Sequence, residues 1–148
     1  MIQLTRDQIE IEEFIRKAKT PRIGGIVTFI GVVRDDCILS LELESYEEAA
    51  LQELERIRDE AMKDFDIESA DIIHRIGKLA IGDTIVLIVV AAGHRKEAFR
   101  ACEFLIDRLK ETVPIWKKES FRGGEVWIGD EAGFHPASQE RSKGSGAK

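Results

Sequence analysis

Three lysines and a tryptophan lie within nine residues of a chain that is acidic overall. They are Lys110, Trp116, Lys117 and Lys118, whereas the formal net charge of the whole chain is −6. Cations clustered against the sign of the whole protein predict a site for an anion. Lysine can also act as an acid, a base or a covalent amine, if its pKa falls below the ordinary value. The segment therefore predicts an anion site in which lysines could do chemistry.

A solvated surface is a simpler interpretation of the same segment. Lys110 could interact with the dipole at the C-terminus of a helix, and the next two lysines could lie on an exposed strand. Because neighbouring residues of a strand point to opposite faces, Lys117 and Lys118 cannot share one role. Lys117 would share its face with Glu119, and Lys118 would share its face with Trp116. From spacing alone, the solvated surface is favoured.

Other basic residues give further candidates for an anion site. His94 and Arg95 follow a glycine at the start of a predicted helix, where backbone amides and side chains could hold an anion together. Arg34 follows an apolar strand and precedes two aspartates, so it is either a phosphate ligand or half of a local ion pair. His74 lies in an apolar strand and is interpreted as a partly buried histidine with its hydrogen bonds satisfied. Trp116 and Phe29 could stack on a flat heterocycle, although aromatic residues on strands more often belong to the core.

Several classes of site are missing from the sequence. It has no GxxxxGK[ST] phosphate loop, no GxGxxG, no HExxH and no CxxC, and we predict no metal and no cofactor. The acidic balance argues against a nucleic-acid partner. Cys37 and Cys102 are predicted to be reduced thiols. With no signal peptide and a longest apolar run, 85–92, too short to cross a bilayer, we expect a cytoplasmic protein without a membrane partner.

The elements that must position these residues follow from hydrophobic spacing. The pattern predicts one α+β domain over residues 1–128, with a mixed, largely antiparallel sheet and about three helices, and a flexible tail over 129–148. The predicted elements are a helix after a capping box at Thr5–Gln8, a strand at 26–33 with a bulge or a close backbone approach at Gly31, a strand at 38–44 with Leu39, Leu41 and Leu43 on one face, a helix at 46–65, strands at 70–76 and 84–92, a helix from His94 to before Pro114, and strands at 115–121 and 125–128.

Five of these segments together resemble the family of large, catalytic subunits of molybdopterin synthase over about residues 5–128. They are GGIVTFIGVVRD (24–35), LELESY (41–46), IIHRIGKLAIGD (72–83), AAGHRKEAF (91–99) and LKETVPIWKKE (109–119), with VWI following. The resemblance implies an α/β-hammerhead fold and a homodimer within a heterotetramer. Each copy would bind a small ubiquitin-like sulfur-carrier subunit, whose C-terminal Gly-Gly thiocarboxylate would supply sulfur to cyclic pyranopterin monophosphate (precursor Z), giving molybdopterin.

The resemblance also implies roles for individual residues. Lys110 would be the principal catalytic lysine and Lys117 the second. The expected substrate-binding residues are Val32, Val33, Arg34, His94, Arg95, Lys118 and Glu119, with the histidine-arginine pair contributed by the neighbouring protomer. An alternative function is a non-catalytic module that docks the tail of a ubiquitin-like protein. The presence of both lysines favours the enzyme, since carboxylate docking alone does not need two.

Overall fold

The computed structural model describes residues 1–36 and 38–128, so Cys37 and the predicted tail over 129–148 lie outside it. Three helices and eight strands are described. They are β1 Ile2–Thr5, α1 Ile11–Ala18, β2 Gly25–Val32, β3 Ser40–Ser45, α2 Glu47–Asp64, β4 Ser69–Arg75, β5 Gly77–Leu79, β6 Thr84–Ala92, α3 Arg95–Thr112, β7 Ile115–Phe121 and β8 Gly124–Ile128.

The strands form two four-stranded sheets. In the first sheet, with the order β1-β4-β6-β2, β1 is parallel to β4 and the other pairs are antiparallel. The second sheet, with the order β5-β3-β7-β8, is antiparallel throughout. The predicted α+β class with three helices is confirmed. The short strands β1 and β5 were not predicted, because four and three residues carry too little periodic signal.

Strand β6 lies inside the first sheet and is covered on both faces. Val86, Ile88 and Val90 belong to the main core, together with the buried faces of α2 and α3. Leu87 and Val89 belong to a second cluster, against which residues of α1 pack. Burial of both faces explains why the β6 sequence is an almost continuous apolar run rather than an alternating one.

Helix α3 buries the face that helical spacing predicts, namely Ala98, Cys102, Leu105 and Leu109, and Cys102 is a free thiol. Its direction is set by this apolar stripe, which packs on the first sheet. Helix α3 thus holds His94 and Arg95 at one end and Lys110 near the other. No helix in the described ranges is both long and apolar enough to cross a membrane.

Two local predictions were wrong. The predicted capping box at Thr5 does not form, because Thr5 ends β1, its hydroxyl accepts a hydrogen bond from the N–H of Asp7, and α1 begins six residues later without a side-chain cap. Leu39 was expected on the buried face of β3, but its side chain is 69% exposed because the strand begins only at Ser40. Leu41, in contrast, is buried as predicted.

The predicted bulge at Gly31 is confirmed. The register between β2 and β6 shifts between Gly31 and Val32. A Cβ atom at Gly31 would lie 2.8 Å from Cγ1 of Val86, closer than such atoms approach in proteins. The absence of a side chain thus lets β2 lie tightly on β6 just before the chain turns toward Arg34.

Candidate active site

A cavity of about 640 Å³ opens where the end of β2, the C-terminal end of α3 and strand β7 come together. Its walls are largely apolar, from residues such as Phe29, Ile85 and Ile106. Six residues with ionisable side chains line it: Arg34, Asp36, His74, Lys110, Lys117 and Glu119. A mostly apolar cavity with a few polar groups converging on it is the usual form of a small-molecule site.

Lys110 and Lys117 come together because the chain turns sharply after α3. The N–H of Val113 still donates to the carbonyl of Leu109, but Val113 itself has an extended backbone. Pro114 disfavours the helical conformation for the residue before it, and so ends the helix at this point. Strand β7 then leads back past the helix end, so that Lys110 in the last helical turn and Lys117 in the strand line one cavity.

Lys117 and Lys118 lie on opposite faces of β7, as predicted. Lys117 lines the cavity, and its Nζ is 3.8 Å from Oε1 of Glu119. Lys118 is not among the residues that line the cavity; its Nζ lies 3.2 Å from Glu42 and 3.5 Å from Glu125. Glu42 and then Glu125 raise the pKa of Lys118. Lys118 is therefore a fully charged residue that ties β3, β7 and β8 together.

Arg34 lies on the loop after β2 and lines the cavity. Its position is compatible with both predicted roles, a phosphate ligand and half of a local ion pair. Its Nε donates to Oδ2 of Asp36 at 3.1 Å, and both side chains are exposed. An exposed ion pair of this kind contributes little stability, so a more highly charged anion such as a phosphate could replace Asp36 as the partner of the guanidinium.

The backbone before Arg34 is held by its neighbours. The N–H of Val33 donates to the carbonyl of Asp83, and its carbonyl accepts from the N–H of Gly82. The N–H of Val33 is therefore already used, while Val32 ends the strand with its side chain exposed.

His74 on β4 is a polar residue that is buried, with 5% exposure, and it lines the cavity. Its Nδ1 lies 2.7 Å from the carbonyl oxygen of Arg75. The pKa of His74 is lowered to about 4, mainly because the ring is buried; the hydrogen bond to the Arg75 backbone opposes this effect, and the positive charge of Lys110 adds a smaller lowering. The imidazole is thus neutral near pH 7. The sequence indicated a satisfied histidine, and it gave no sign that this residue faces the lysine.

His94 and Arg95 lie at the opposite end of α3 from Lys110. Both are exposed, and neither lines the cavity. Lys110 lies fifteen positions after Arg95 in the helix, a distance of about 22 Å along the axis. Within one chain, the histidine-arginine pair and the lysines are therefore separate sites.

Trp116 and Phe29 both line the cavity and both belong to its packed wall. The Trp116 ring meets that of Tyr46 edge-on, with centroids 4.9 Å apart and planes at 65°. The indole N–H of Trp116 is buried and has no hydrogen-bond partner within residues 1–36 and 38–128. This donor is a polar feature of the cavity wall that sequence reasoning missed.

The fold and the cavity together define a small α+β protein in which two lysines and an arginine line one cavity. Comparisons with known proteins identify the family more closely. Residues 4–112 match the sequence model of the family described as MoaE protein. The chain therefore belongs to the MoaE family.

Relatives and solved structures agree with this assignment. The chain is 45% identical to the molybdopterin synthase catalytic subunit of Pyrococcus abyssi, over 82% of this chain and 85% of that one. It is 44% identical to the subunit of the same name from Bacillus subtilis, over 87% and 85%. The structure of molybdopterin synthase from Staphylococcus aureus is similar with a TM-score of 0.82 at 38% identity, covering 85% of this chain and 95% of that one.

Proposed function

We propose that this chain is the catalytic, sulfur-transferring subunit of a molybdopterin synthase. It would convert cyclic pyranopterin monophosphate (precursor Z) to molybdopterin in the cytoplasm, as a step of molybdenum cofactor biosynthesis. The observation that carries the proposal is the convergence of Lys110, Lys117 and Arg34 in one cavity. Relatives named molybdopterin synthase catalytic subunits, which match most of the chain, support the same function.

The charges in the cavity suit the transfer of sulfur from a thiocarboxylate to a phosphorylated pterin. Both reactants are anions, and negative charge develops on the acyl carbonyl as the sulfur is transferred. Fixed cations that already point at this charge stabilise it without rearrangement. Lys110 has no ion pair within the described ranges, so it is assigned the principal catalytic role. Lys117, which shares its charge with Glu119, is assigned the second role.

Proton transfer would be the other task of these lysines. An amine at the cavity could protonate an oxygen that leaves the pterin, or remove a proton from the attacking species. Arg34 would bind the phosphate of the substrate by exchanging its exposed partner Asp36 for a stronger anion. Val32 and Val33 would line its path, and their contribution would come from shape rather than from the N–H of Val33, which is already bonded.

The remaining predicted residues would act through partner chains. In a homodimer, His94 and Arg95 of one copy would complete the anion site of the other, since α3 holds them about 22 Å from Lys110 of their own chain. A ubiquitin-like carrier subunit would place its Gly-Gly tail in the cavity beside Glu119, and Lys118 would fix the strand that receives it. The solved complex of subunits 1 and 2 of molybdopterin-converting factor from Helicobacter pylori contains a chain with the same fold. That chain is 24% identical to this one, with a TM-score of 0.74 over 86% of this chain and 89% of that one.

Reconstitution tests the proposal. The chain is mixed with a thiocarboxylated carrier and the cyclic pterin monophosphate, and the product is followed by mass spectrometry. We expect Lys110→Ala to lower product formation at least about a hundredfold, the range for loss of a charged group that acts on the transition state. Lys117→Ala should reduce it less, because this lysine is partly neutralised by Glu119.

Lys63→Ala is the matched control, because Lys63 is an exposed lysine in the last turn of α2 and does not line the cavity. It should retain full turnover. Full turnover by Lys110→Ala would contradict the catalytic role of this lysine. A wild-type chain that binds the carrier tail but yields no product would favour the docking module instead.

A further inference from the structure

His74 is a buried ionisable group in the cavity for which the proposed reaction has so far no use. It lies in β4, opposite Val86 of β6 and Leu4 of β1, at the point where the first sheet forms the inner wall of the cavity. Burying a polar ring costs free energy unless its hydrogen bonds are made. Burial of this histidine is therefore favourable only if both ring nitrogens find hydrogen-bond partners.

The hydrogen bond of Nδ1 fixes the state of the other nitrogen. A carbonyl oxygen can only accept, so Nδ1, 2.7 Å from the oxygen of Arg75, must carry the proton. The ring is neutral near pH 7, because its pKa is about 4. Nε2 consequently has a free lone pair and is a hydrogen-bond acceptor. It makes no hydrogen bond to any residue in the described ranges.

Lys110 is the group that matches this acceptor. It lines the same cavity, and its positive charge adds a minor contribution to the lowered pKa of His74, which is due mainly to burial. A lysine ammonium has three donors and no acceptor. Within the described ranges, no carboxylate forms an ion pair with Lys110, whereas Lys117 and Lys118 each have a glutamate within 4 Å. A neutral acceptor could hold the ammonium in place while leaving its charge available to the substrate.

We propose that His74 is a positioning residue: the flexible Lys110 side chain, which does not contact Nε2 in this structure, turns within the cavity to donate a hydrogen bond to Nε2, and this bond fixes the ammonium toward the reacting atoms. The inference deepens the proposed sulfur transfer and rests on it for its kinetic consequences. The contact between the two side chains can be tested without any turnover.

Two amide substitutions separate the two ring nitrogens. In His74→Asn, the short side chain can place its NH₂ near the position of Nδ1 and keep the bond to the Arg75 carbonyl, but nothing reaches the position of Nε2. In His74→Gln, the longer side chain can place its carbonyl oxygen near that of Nε2 and restore the acceptor. If His74 only supports the fold, His74→Asn should have a kcat at least as high as that of His74→Gln. If His74 positions Lys110, His74→Gln should have the higher kcat.

The kinetic test uses the reconstituted complex. We expect His74→Asn to lower kcat about ten- to a hundredfold with little change in KM, since a hydrogen bond to a charged group is lost in the reacting complex. We expect His74→Gln to recover most of that loss. Equal kcat in both variants, or a higher kcat for His74→Asn, would overturn the proposal. Thermal unfolding of both variants shows whether each is folded at the assay temperature.

Nitrogen-15 NMR of the imidazole provides a test that depends neither on folding of the histidine variants nor on activity. The wild-type ring should show a proton on Nδ1 and an unprotonated Nε2. The Nε2 signal should move in Lys110→Met and stay in place in Lys117→Met, which removes the other lysine of the cavity. A proton on Nε2, or a signal that Lys110→Met does not move, would overturn the proposal. If the spectra fit but the wild type makes no product, the proposed function fails while the contact stands.

Discussion

At the scale of single residues, the two cavity lysines differ in their neighbours. Lys117 has Glu119 on its own strand face, at 3.8 Å, whereas Lys110 faces a neutral histidine. A lysine without a counter-ion keeps its full field for a bound anion, and a paired one shares it. The residue type alone does not make Lys110 the stronger candidate; its lack of a carboxylate partner in the described ranges does.

Arg34 allows a prediction at the same scale. We expect Arg34→Ala to raise KM for the pterin phosphate about tenfold with a smaller change in kcat, because in the proposed function the guanidinium binds the phosphate away from the reacting bonds. Asp36→Asn is the matched variant, since it removes the ion pair with Arg34 but keeps the cation. It should leave KM unchanged or lower it. Steady-state kinetics in the reconstituted system decides, and a rise in KM for Asp36→Asn equal to that of Arg34→Ala would show that the pair, not the cation, matters.

At the scale of elements, the cavity depends on how closely β2 approaches β6. Gly31 permits this approach, because a Cβ atom there would be 2.8 Å from Cγ1 of Val86. Both residues line the cavity, so a displacement of β2 would also move Arg34 at the end of the strand. The bulge at Gly31 thus connects sheet packing to the position of Arg34 at the cavity.

Gly31→Ala should therefore be destabilising. We expect it to lower the free energy of unfolding by about 1–3 kcal/mol, the range for overpacking, as measured by urea denaturation. Gly124→Ala is the control, because a Cβ there would meet Phe121 at an ordinary 3.8 Å. The double variant Gly31→Ala with Val86→Ala should recover part of the loss. If Gly31→Ala is as stable as the wild type, the close approach is not a constraint.

Elements were predicted better than their contacts. Helical spacing predicted the buried face of α3, and Pro114 predicted its end, because both depend on local chemistry. Strands β1 and β5 are only four and three residues long and depend on pairing with β4 and β3, which are distant in the sequence, so they were missed. The opposite faces of Lys117 and Lys118 follow from strand geometry. That His74 and Lys110 line one cavity depends on how the first sheet and α3 pack together, which no local pattern contains.

At the scale of the whole molecule, charge is organised by element. Acidic residues lie on exposed faces, as with Glu47 and Glu48 at the start of α2, while cations converge where α3 and β7 meet. The overall negative charge disfavours anion binding over most of the surface, and the local positive field of the cavity marks the place where the proposed substrate would bind. His94 and Arg95 form a second cationic site at the far end of α3, so one helix connects both sites.

A buried neutral histidine makes the stability of the whole fold depend on pH. The pKa of His74 is about 4 in the folded chain and 6.5 as its ordinary value. Between these values the unfolded chain binds a proton that the folded chain excludes, so the stabilisation is complete above pH 6.5 and is lost as pH falls toward 4. The loss amounts to about 3 kcal/mol. Urea denaturation of the wild type and of His74→Gln at several pH values between about 7.5 and about 4, a range that spans the two pKa values, measures it. The difference between the two proteins should change with pH over this window, because glutamine does not titrate. A constant difference would show that His74 takes up its proton without opposing the fold.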